Sequence, residues 1–306
     1  MKYAVIGTGA VGGYFGAKLA KAGHEVHFLL HSDYEYVREH GMQIDSYRGS
    51  FHLDHVHAHR TTDDMPQCDV VIVGLKTTRN ELLRELLPPV LHEHSLVLLI
   101  QNGIGVEADV QKMLPGVALA GGMAFICSAK VGPGHINHQF YGRINLGNYS
   151  CHDQHPVDSL IEELHAADIG AVEMEYNEAR WHKALWNMPF NGMTVALECQ
   201  TDELLDNPDT CELVRQQMLE VIGAARALGV KSMTDDMADA MIASTRKMVP
   251  YSPSMKLDHD YHRPMEIYYL YTRPIEEAAR AGFAMPRLKM LEAQLKFIGE
   301  RDREAE

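Results

Sequence analysis

The stretch from Glu178 to Leu197 is apolar except along one line of side chains when it is drawn as a helix. With Lys183 as the origin and about 100° of turn per residue, Thr194 falls at about 20° and Asn187 at about 40°. Asn191 follows at about 80°. We call these four polar residues the polar stripe. Because an unpaired buried ammonium is too unfavourable to keep, the stripe faces either buried partners, as a structural lysine would, or a cleft, as a catalytic wall would.

A strand, a glycine-rich turn and a helix begin the chain. The strand is predicted over Lys2 to Ile6, and the helix over Tyr14 to Ala22. The turn between them has the pattern GxGxxG and consists of Gly7, Thr8, Gly9, Ala10, Val11 and Gly12. In this context Gly7 permits the turn, Gly9 admits a pyrophosphate and Gly12 lets the helix approach the strand, while N–H groups at the helix start bind phosphate. The pattern predicts an α/β Rossmann domain that binds a dinucleotide. The alternative is a glycine-rich turn with no ligand.

The second strand, predicted over Glu25 to Leu30, ends where a dinucleotide fold meets the adenosine ribose. His31 and Ser32 stand at this end, without an acidic residue to bind a free 2′-hydroxyl. They are compatible with the 2′-phosphate of NADPH, whereas Asp33 leaves NADH open as the cofactor. The alternative is that Ser32 and Asp33 cap the next helix.

Two further apolar runs end in polar residues. The run that starts at residue 69 ends in Lys76, and the run over residues 96–100 is followed by Asn102. Continuous apolar runs of this kind are typical of parallel strands that are covered on both faces. Ligands of open α/β sheets bind at the carboxyl ends of the strands, so Lys76 and Asn102 are predicted to line the cofactor crevice. The alternative for each residue is an ordinary turn.

The pattern changes after residue 123 to a hairpin around a Gly-Pro-Gly turn, which is predicted to extend the sheet with antiparallel strands. One helix (Val157 to Ala166) and one short strand (Ala171 to Glu175) follow. The domain boundary is predicted near Tyr176. The chain is thus divided into a Rossmann NAD(P)-binding domain over residues 1–175 and an all-α, substrate-binding and catalytic domain over residues 176–306.

The second domain is predicted to be helical throughout. Asn177 is a candidate N-cap for the central helix, which carries the polar stripe. Pro189 and Pro274 are predicted to kink their helices, because each removes one backbone hydrogen bond. The further helices are predicted over residues 207–228, 234–248, 264–281 and 285–298.

Composition narrows the class of protein. The 306 residues are 46% hydrophobic and 23% charged, with no apolar run near the roughly 20 residues of a membrane span. The simplest interpretation is a cytoplasmic protein. A net charge of −14 argues against nucleic acid or an anionic membrane as partner.

The five cysteines are too scattered for a disulfide framework or a metal knuckle. His52, His55, His57 and His59 suggest a metal site less well than a solvated strand face, so no metal is predicted.

Several motifs occur together along the chain. They are GTGAVGGYFG at the start, Lys76 after an apolar strand, Gln101-Asn102-Gly103, the PGH turn, Lys183-x3-Asn187-x3-Asn191, Pro253-Ser254-Met255-x2-Asp258 and Arg263-Pro264-Met265-Glu266-Ile267. In this combination the chain resembles the ketopantoate reductase (2-dehydropantoate 2-reductase) family over nearly its whole length. The resemblance implies a C-terminal domain of the 6-phosphogluconate dehydrogenase C-terminal-like type.

The resemblance also implies roles for particular residues. Lys183 would be the catalytic acid/base and Glu266 its support, while Asn187, Asn191 and Ser254 would bind a 2-oxo acid. Apart from these roles, Asn102 is predicted to contact both substrate and cofactor, and the predicted cofactor contacts further include His31, Ser32, Lys76, Glu266 and the glycine-rich turn. The implied reaction is the NADPH-dependent reduction of 2-dehydropantoate to pantoate in pantothenate and coenzyme A biosynthesis. Family members are commonly dimers, so the resemblance is compatible with a homodimer.

The chain departs from the family pattern at three places. Well-characterised members carry arginine where His31 stands, asparagine where Tyr251 stands, and Asn-Gly where Tyr271-Thr272 stands; the last two changes are expected to bring bulk near the substrate. One alternative is therefore a related reductase of another oxo acid or of an imine. Another is a regulatory protein that binds a nicotinamide cofactor without turnover, although such a sensor needs neither Lys183 nor Glu266.

Overall fold

The computed structural model describes residues 1–304 and divides the chain into two compact units. The N-terminal unit comprises Met1–Gln101 and Val106–Ala179. The helical unit comprises the short segment Asn102–Gly105 and the chain from Arg180 onward. Each unit buries its own hydrophobic core. Residues 305 and 306 of the predicted second domain lie outside the described residues.

The N-terminal unit is built on one mixed sheet. Its strands are β1 (Lys2–Ile6), β2 (Glu25–Leu29), β3 (Met42–Ser46), β4 (Phe51–Leu53), β5 (His57–His59), β6 (Val70–Val73), β7 (Leu96–Leu99), β8 (Ala118–Gly132), β9 (His135–Asn148) and β10 (Gly170–Glu173). Its helices are α1 (Ala10–Lys21), α2 (Tyr34–His40), α3 (Leu83–Leu86), α4 (Val106–Met113) and α5 (His155–Ala166). The strand order is β4-β3-β9-β8-β7-β6-β1-β2-β5, and β10 pairs with β9.

The central strands β2, β1, β6, β7 and β8 pair in parallel, and all residues of β6 and β7 are buried. This arrangement confirms the predicted Rossmann-like domain. The predicted hairpin is also confirmed, because β8 and β9 pair antiparallel on either side of the turn at Pro133 and Gly134. The carboxyl ends of β1, β2, β6 and β7 lie side by side, where a ligand of this fold binds.

Helix α1 begins at Ala10 rather than at the predicted Tyr14. Gly12 and Gly13 lie inside the helix despite their low helix propensity. A Cβ on Gly12 would lie 2.4 Å from the Gly7 carbonyl oxygen, and one on Gly13 would lie 2.4 Å from the side chain of Ile136. Close packing against the sheet therefore outweighs local propensity in the first turn.

The helical unit is a bundle. Its helices are α6 (Tyr176–Ala196), which starts in the N-terminal unit, α7 (Thr201–Asp206), α8 (Pro208–Ala227), α9 (Asp236–Thr245), α10 (Ser254–Asp260), α11 (Arg273–Arg280) and α12 (Pro286–Glu304). A π-helical turn, Tyr268–Thr272, precedes α11. This confirms the predicted helical character of the C-terminal domain. None of the helices in residues 1–304 has the length and apolar character needed to cross a membrane.

Two local predictions in the helical part need correction. Asn177 lies inside α6, and it is the Glu175 carboxylate that accepts the Glu178 N–H at the helix start (2.8 Å). The helix predicted over residues 264–281 begins later, at residue 267, and runs through the π-helical turn into α11 as far as Arg280, with Pro274 in the first turn of α11. Helix α10 had not been predicted.

Candidate active site

The three glycines of the loop after β1 are needed for different reasons. Gly7 has φ of +97°, and a Cβ there would lie 2.4 Å from the Leu75 nitrogen. Gly12 packs against the Gly7 carbonyl, as described above. Around Gly9, by contrast, no heavy atom of the described residues lies within 4 Å of the Cβ position. The loop thus leaves open space where a phosphate group would approach the backbone.

The start of α1 supplies donors for that space. The first helical hydrogen bond runs from the Gly13 N–H to the Gly9 carbonyl (2.9 Å), so the N–H groups of the preceding residues have no intrahelical acceptor. The first turn contains no acidic residue. Thr8 fixes the loop to the end of β2, since its hydroxyl donates to the Leu29 carbonyl (2.8 Å). A helix N-terminus of this kind fits the pyrophosphate of a dinucleotide.

The residues after β2 differ in their exposure. His31 and Ser32 are exposed, but Asp33 is only 5% exposed. Its carboxylate accepts hydrogen bonds from the Lys130 ammonium (2.6 Å) and from the Gly134 N–H (3.1 Å). The sequence left Asp33 open as a ribose ligand. The structure shows instead that its carboxylate is used within the N-terminal unit to hold the β8–β9 hairpin.

Lys76 and Gln101 follow the adjacent strands β6 and β7. Lys76 is partly exposed, and its backbone is extended before the 3-10 turn Thr77–Leu82. The Gln101 side chain is buried and donates to the carbonyl oxygen of Leu75 (2.8 Å) and to the side chain of Asn80 (2.5 Å). Gln101 therefore connects the two strand ends and fixes the backbone next to Lys76.

The polar stripe lies on α6, and its burial increases along the helix. Lys183 is partly exposed, whereas Asn187, Asn191 and Thr194 are at most 3% exposed. The Thr194 hydroxyl donates to the carbonyl of Phe190 (2.7 Å), a local bond that needs no ligand. The end of the stripe with the ammonium group is thus its more exposed end.

Asn102 is close to the stripe. The Asn187 side-chain amide donates to the Asn102 side-chain oxygen (3.2 Å). The segment that carries Asn102 is held by a hydrogen bond from the Ile104 N–H to the Tyr269 carbonyl (2.9 Å). Gly103 packs so closely there that a Cβ would lie 2.5 Å from Tyr269. Asn102 is therefore structurally a part of the helical unit.

Asn191 connects the stripe to Ser254. Its side-chain oxygen accepts the N–H of Met255 (3.4 Å), and Ser254 is the first residue of α10 next to it. The Asn191 amide nitrogen is buried and has no acceptor among residues 1–304. A buried donor without an acceptor is unfavourable and rare in folded proteins. Asn191 thus offers a fixed N–H donor beside the start of α10.

The remaining predicted catalytic residue, Glu266, also lies in the helical unit. Glu266 is 4% exposed and stands just before the π-helical turn in the helical unit, as Lys183 does on α6. An aromatic cluster flanks the stripe: Trp186 lies 5.1 Å from Phe190 and 6.3 Å from Tyr251 between ring centroids. All predicted catalytic and substrate-binding residues belong to the helical unit, namely Lys183, Glu266, Asn102, Asn187, Asn191 and Ser254.

The contact that Tyr271 makes with α6 was not predicted from the sequence. The expectation that Tyr271 and Thr272 bring bulk near a substrate stays a prediction. Tyr271 is fully buried, and its hydroxyl donates to the Met188 carbonyl (2.6 Å). The Thr272 hydroxyl donates to Glu292 (2.6 Å). Only the replacement of the family's Asn-Gly pair marked this place in the sequence.

The histidines of β5 make no metal site. Among the described residues, no group of three His, Cys, Asp or Glu side chains could hold a metal ion. His59 is half-buried and within 2.9 Å of His27 on β2, so it does not belong to a solvated face. His55 precedes the strand.

A Rossmann-like unit with a dinucleotide loop, followed by a helical unit with a lysine–asparagine stripe, defines a two-domain, dinucleotide-dependent oxidoreductase. Known proteins that are similar to this chain show which family of such oxidoreductases it belongs to. The family model "Ketopantoate reductase PanE/ApbA" matches residues 3–150, and its C-terminal counterpart matches residues 175–299. The chain therefore belongs to the ketopantoate reductase family, whose members are nicotinamide-dependent reductases.

Individual relatives agree with this assignment. A 2-dehydropantoate 2-reductase from Nostoc sp. is 43% identical, over 99% of this chain and 96% of its own length. The solved structure of 2-dehydropantoate 2-reductase from Geobacter metallireducens is 37% identical with a TM-score of 0.94, covering 97% of this chain and 99% of that one. The corresponding enzyme from Methylococcus capsulatus is 32% identical with a TM-score of 0.87, covering 99% and 98%.

Proposed function

We propose that this protein reduces 2-dehydropantoate to pantoate with NADPH, a step of pantothenate and coenzyme A biosynthesis. The observation that carries the proposal is the arrangement around Asn191, whose buried amide nitrogen has no acceptor within residues 1–304 and lies beside Ser254. An oxo acid provides the acceptor oxygens that this amide lacks. The 43% identical relative named 2-dehydropantoate 2-reductase supports this choice of substrate.

The residues of the polar stripe divide the chemistry between them. The Lys183 ammonium stabilises the oxygen of the ketone as negative charge develops there, and then donates a proton to it. The Glu266 carboxylate keeps this lysine charged and oriented. Asn187, Asn191 and the Ser254 hydroxyl fix the oxo acid, so that little ordering remains for the reaction itself. The bound cofactor supplies the hydride that the ketone carbon receives.

The N-terminal unit would hold that cofactor. The open space at Gly9 and the N–H groups at the start of α1 fit its pyrophosphate. Lys76 and Asn102 are assigned to its nicotinamide half. We propose the domain division of the sequence, residues 1–175 for the cofactor and 176–306 for substrate and catalysis, as the functional division.

The preference for NADPH rests on the end of β2. His31 and Ser32 are exposed there and can donate hydrogen bonds to a 2′-phosphate. Asp33 is the nearest carboxylate in sequence, and Lys130 and the Gly134 N–H already bind it. The Asp33 carboxylate is therefore not free to repel the 2′-phosphate of NADPH.

Substrate consumption tests the proposal. The oxidation of NADPH is followed by its absorbance with 2-dehydropantoate, with other 2-oxo acids and with cyclic imines. Turnover that is fastest with 2-dehydropantoate supports the proposal. Faster turnover of another acceptor would show that 2-dehydropantoate is not the substrate. Binding of NADPH without turnover of any acceptor would identify the protein as a sensor.

The Asn191→Ala variant tests the observation that carries the proposal. Loss of its amide should raise KM for the oxo acid by roughly 10-fold, equivalent to about 1.4 kcal/mol of lost binding. Asn177→Ala removes an exposed amide from the same helix and should leave KM unchanged. Equal KM values for both variants would remove Asn191 from the substrate site.

A further inference from the structure

The hydroxyl of Tyr271 enters helix α6 at one defined place. Tyr271 is 0% exposed, and its hydroxyl donates to the Met188 carbonyl at 2.6 Å. Burial raises the pKa of Tyr271 far above its usual range, and a hydrogen bond from the Gly192 N–H partly offsets this rise. A Cβ on Gly192 would lie 2.6 Å from the same hydroxyl oxygen. The hydroxyl thus lies at the carbonyl of Met188 and beside the backbone of Gly192, two residues that are one helical turn apart.

Pro189 removes one bond from the hydrogen-bond ladder at the same turn. Pro189 has no N–H, so the carbonyl of Leu185 loses its partner four residues on. Side chains or prolines that interrupt the ladder are the usual causes of a bend in a helix. Both features fall at the turn between Asn187 and Asn191. The relative positions of these two amides therefore depend on how α6 is held at this turn.

We propose that Tyr271 is a positioning residue that sets the spacing of the Asn187 and Asn191 amides for the substrate. The inference rests on the proposed function, because it concerns the residues that bind the oxo acid there. Tyr271 touches neither substrate nor reacting atoms; it acts through the backbone of α6. It fills the position where other family members carry the small residues of an Asn-Gly pair.

The π-helical turn that carries Tyr271 also positions Asn102. The carbonyl of Tyr269, two residues earlier, accepts the Ile104 N–H and so holds the segment of Asn102. The amide of Asn187 donates to Asn102 (3.2 Å). One five-residue turn thus fixes both partners of this hydrogen bond, one through Tyr269 and the other through Tyr271. An aromatic ring that only filled space would not need the hydroxyl that contacts the Met188 carbonyl.

The Tyr271→Phe variant keeps the ring and removes the hydroxyl. We expect KM for the oxo acid to rise roughly 3- to 10-fold, the range that corresponds to loss of one hydrogen bond. The dissociation constant of NADPH should stay unchanged, because the glycine-rich loop lies in the other unit and because the segment of Asn102 is held by the Tyr269 carbonyl, which this variant keeps. Tyr268→Phe removes the hydroxyl of a half-exposed tyrosine from the same π-helical turn and should change neither constant.

Gly192→Ala supplies an independent second test. Its Cβ would collide with the Tyr271 hydroxyl, so the variant should raise KM in the wild-type background and raise it less when Tyr271 is already phenylalanine. The side chain of Leu291 at 2.6 Å accounts for the part of the effect that remains. Additive effects of the two substitutions on KM would overturn the proposal.

The failure of this inference differs from the failure of the proposed function. If the wild-type protein reduces 2-dehydropantoate and Tyr271→Phe has the same KM, then the positioning role is wrong and the function stands. If KM rises equally for NADPH and the oxo acid, the hydroxyl is merely structural, which also overturns the inference. If the wild-type protein reduces no oxo acid, the proposed function is wrong and the inference fails with it.

Discussion

Gly7 and Gly9 in the loop after β1 meet different local requirements, and this difference can be measured. Gly7 has a positive φ, and its Cβ position is occupied by the backbone of Leu75. The Cβ position of Gly9 is open, at a φ of −85° that any residue can adopt. A side chain at residue 7 would disturb the fold, whereas one at residue 9 would occupy space left for a ligand.

Gly9→Val should therefore weaken NADPH binding by roughly 10-fold or more, about 1.4 kcal/mol, with the melting temperature nearly unchanged. Gly7→Ala should instead lower the melting temperature by several degrees, since strain and overpacking cost about 1–3 kcal/mol. Cofactor titration and thermal denaturation of both variants give the two quantities. Unchanged affinity in Gly9→Val would show that this loop does not contact the phosphates.

His31 should determine the choice of cofactor. In His31→Asp, a carboxylate at the exposed end of β2 would repel a 2′-phosphate and accept a ribose hydroxyl, so the preference for NADPH should vanish or reverse. The ratio of kcat/KM for NADPH and NADH measures this. His94→Asp makes the same change at another exposed histidine and should leave the ratio unchanged. A wild-type protein that uses NADH better would contradict the account of this strand end.

At the scale of elements, what the sequence predicts depends on the range of the interactions. The strands β1, β6 and β7 and the stripe on α6 follow from local periodicity and were predicted nearly in full. The early start of α1 results from packing against Gly7 and Ile136, which no local propensity contains. The pairing of Asp33 with Lys130 joins residues 97 positions apart, and the hydroxyl of Tyr271 reaches a different helix. These contacts require the fold to be known.

The edge between β2 and β5 should make the stability of the protein depend on pH. The His27 Nδ1 lies 2.9 Å from the His59 Nε2, and the His27 Nε2 lies 2.9 Å from the Glu25 carboxylate. Burial lowers the pKa of both His27 and His59. The neighbouring His27 and His57 lower the pKa of His59 further, whereas the hydrogen bond with Glu25 raises the pKa of His27. The folded state therefore binds fewer protons than the unfolded chain below about pH 6.5.

The free energy of unfolding should consequently fall as the pH is lowered from about 7.5 to about 5.5, where the unfolded histidines gain protons first. Urea denaturation at a series of pH values measures this slope. His59→Gln should reduce the slope, whereas His94→Gln, an exposed histidine, should not. If His59→Gln had the same slope as the wild type, protonation of the His27 and His59 pair would not be coupled to folding.

At the scale of the whole molecule, the two units each have a core of their own, and the predicted chemistry is divided between them. The sequence predicts this division through the glycine-rich loop in one part and the stripe on α6 in the other. It could not show that Asn102, which follows a Rossmann strand, belongs structurally to the helical unit, because contacts with Tyr269 and Asn187 decide this. The homodimer and the cytoplasmic location stay predictions; light scattering of the purified protein tests the first.

The central claim is that Lys183 is a catalytic acid. Lys183→Ala should lower kcat roughly 10²- to 10⁴-fold, the usual contribution of a positioned acid or base, with the dissociation constant of NADPH nearly unchanged. Glu266→Gln should lower kcat less. Lys247→Ala, at an exposed lysine of the same unit, should have normal kcat.

The direct measurement is single-turnover oxidation of NADPH by Lys183→Ala with saturating 2-dehydropantoate, together with its melting temperature. The account predicts a greatly slowed turnover in a protein that melts close to the wild-type temperature. If Lys183 were structural instead, the variant would turn over almost normally but melt at a much lower temperature. Leaving the buried Glu266 carboxylate without its cation would then cost about 3–5 kcal/mol of stability. Near-normal turnover in Lys183→Ala would contradict the proposed mechanism.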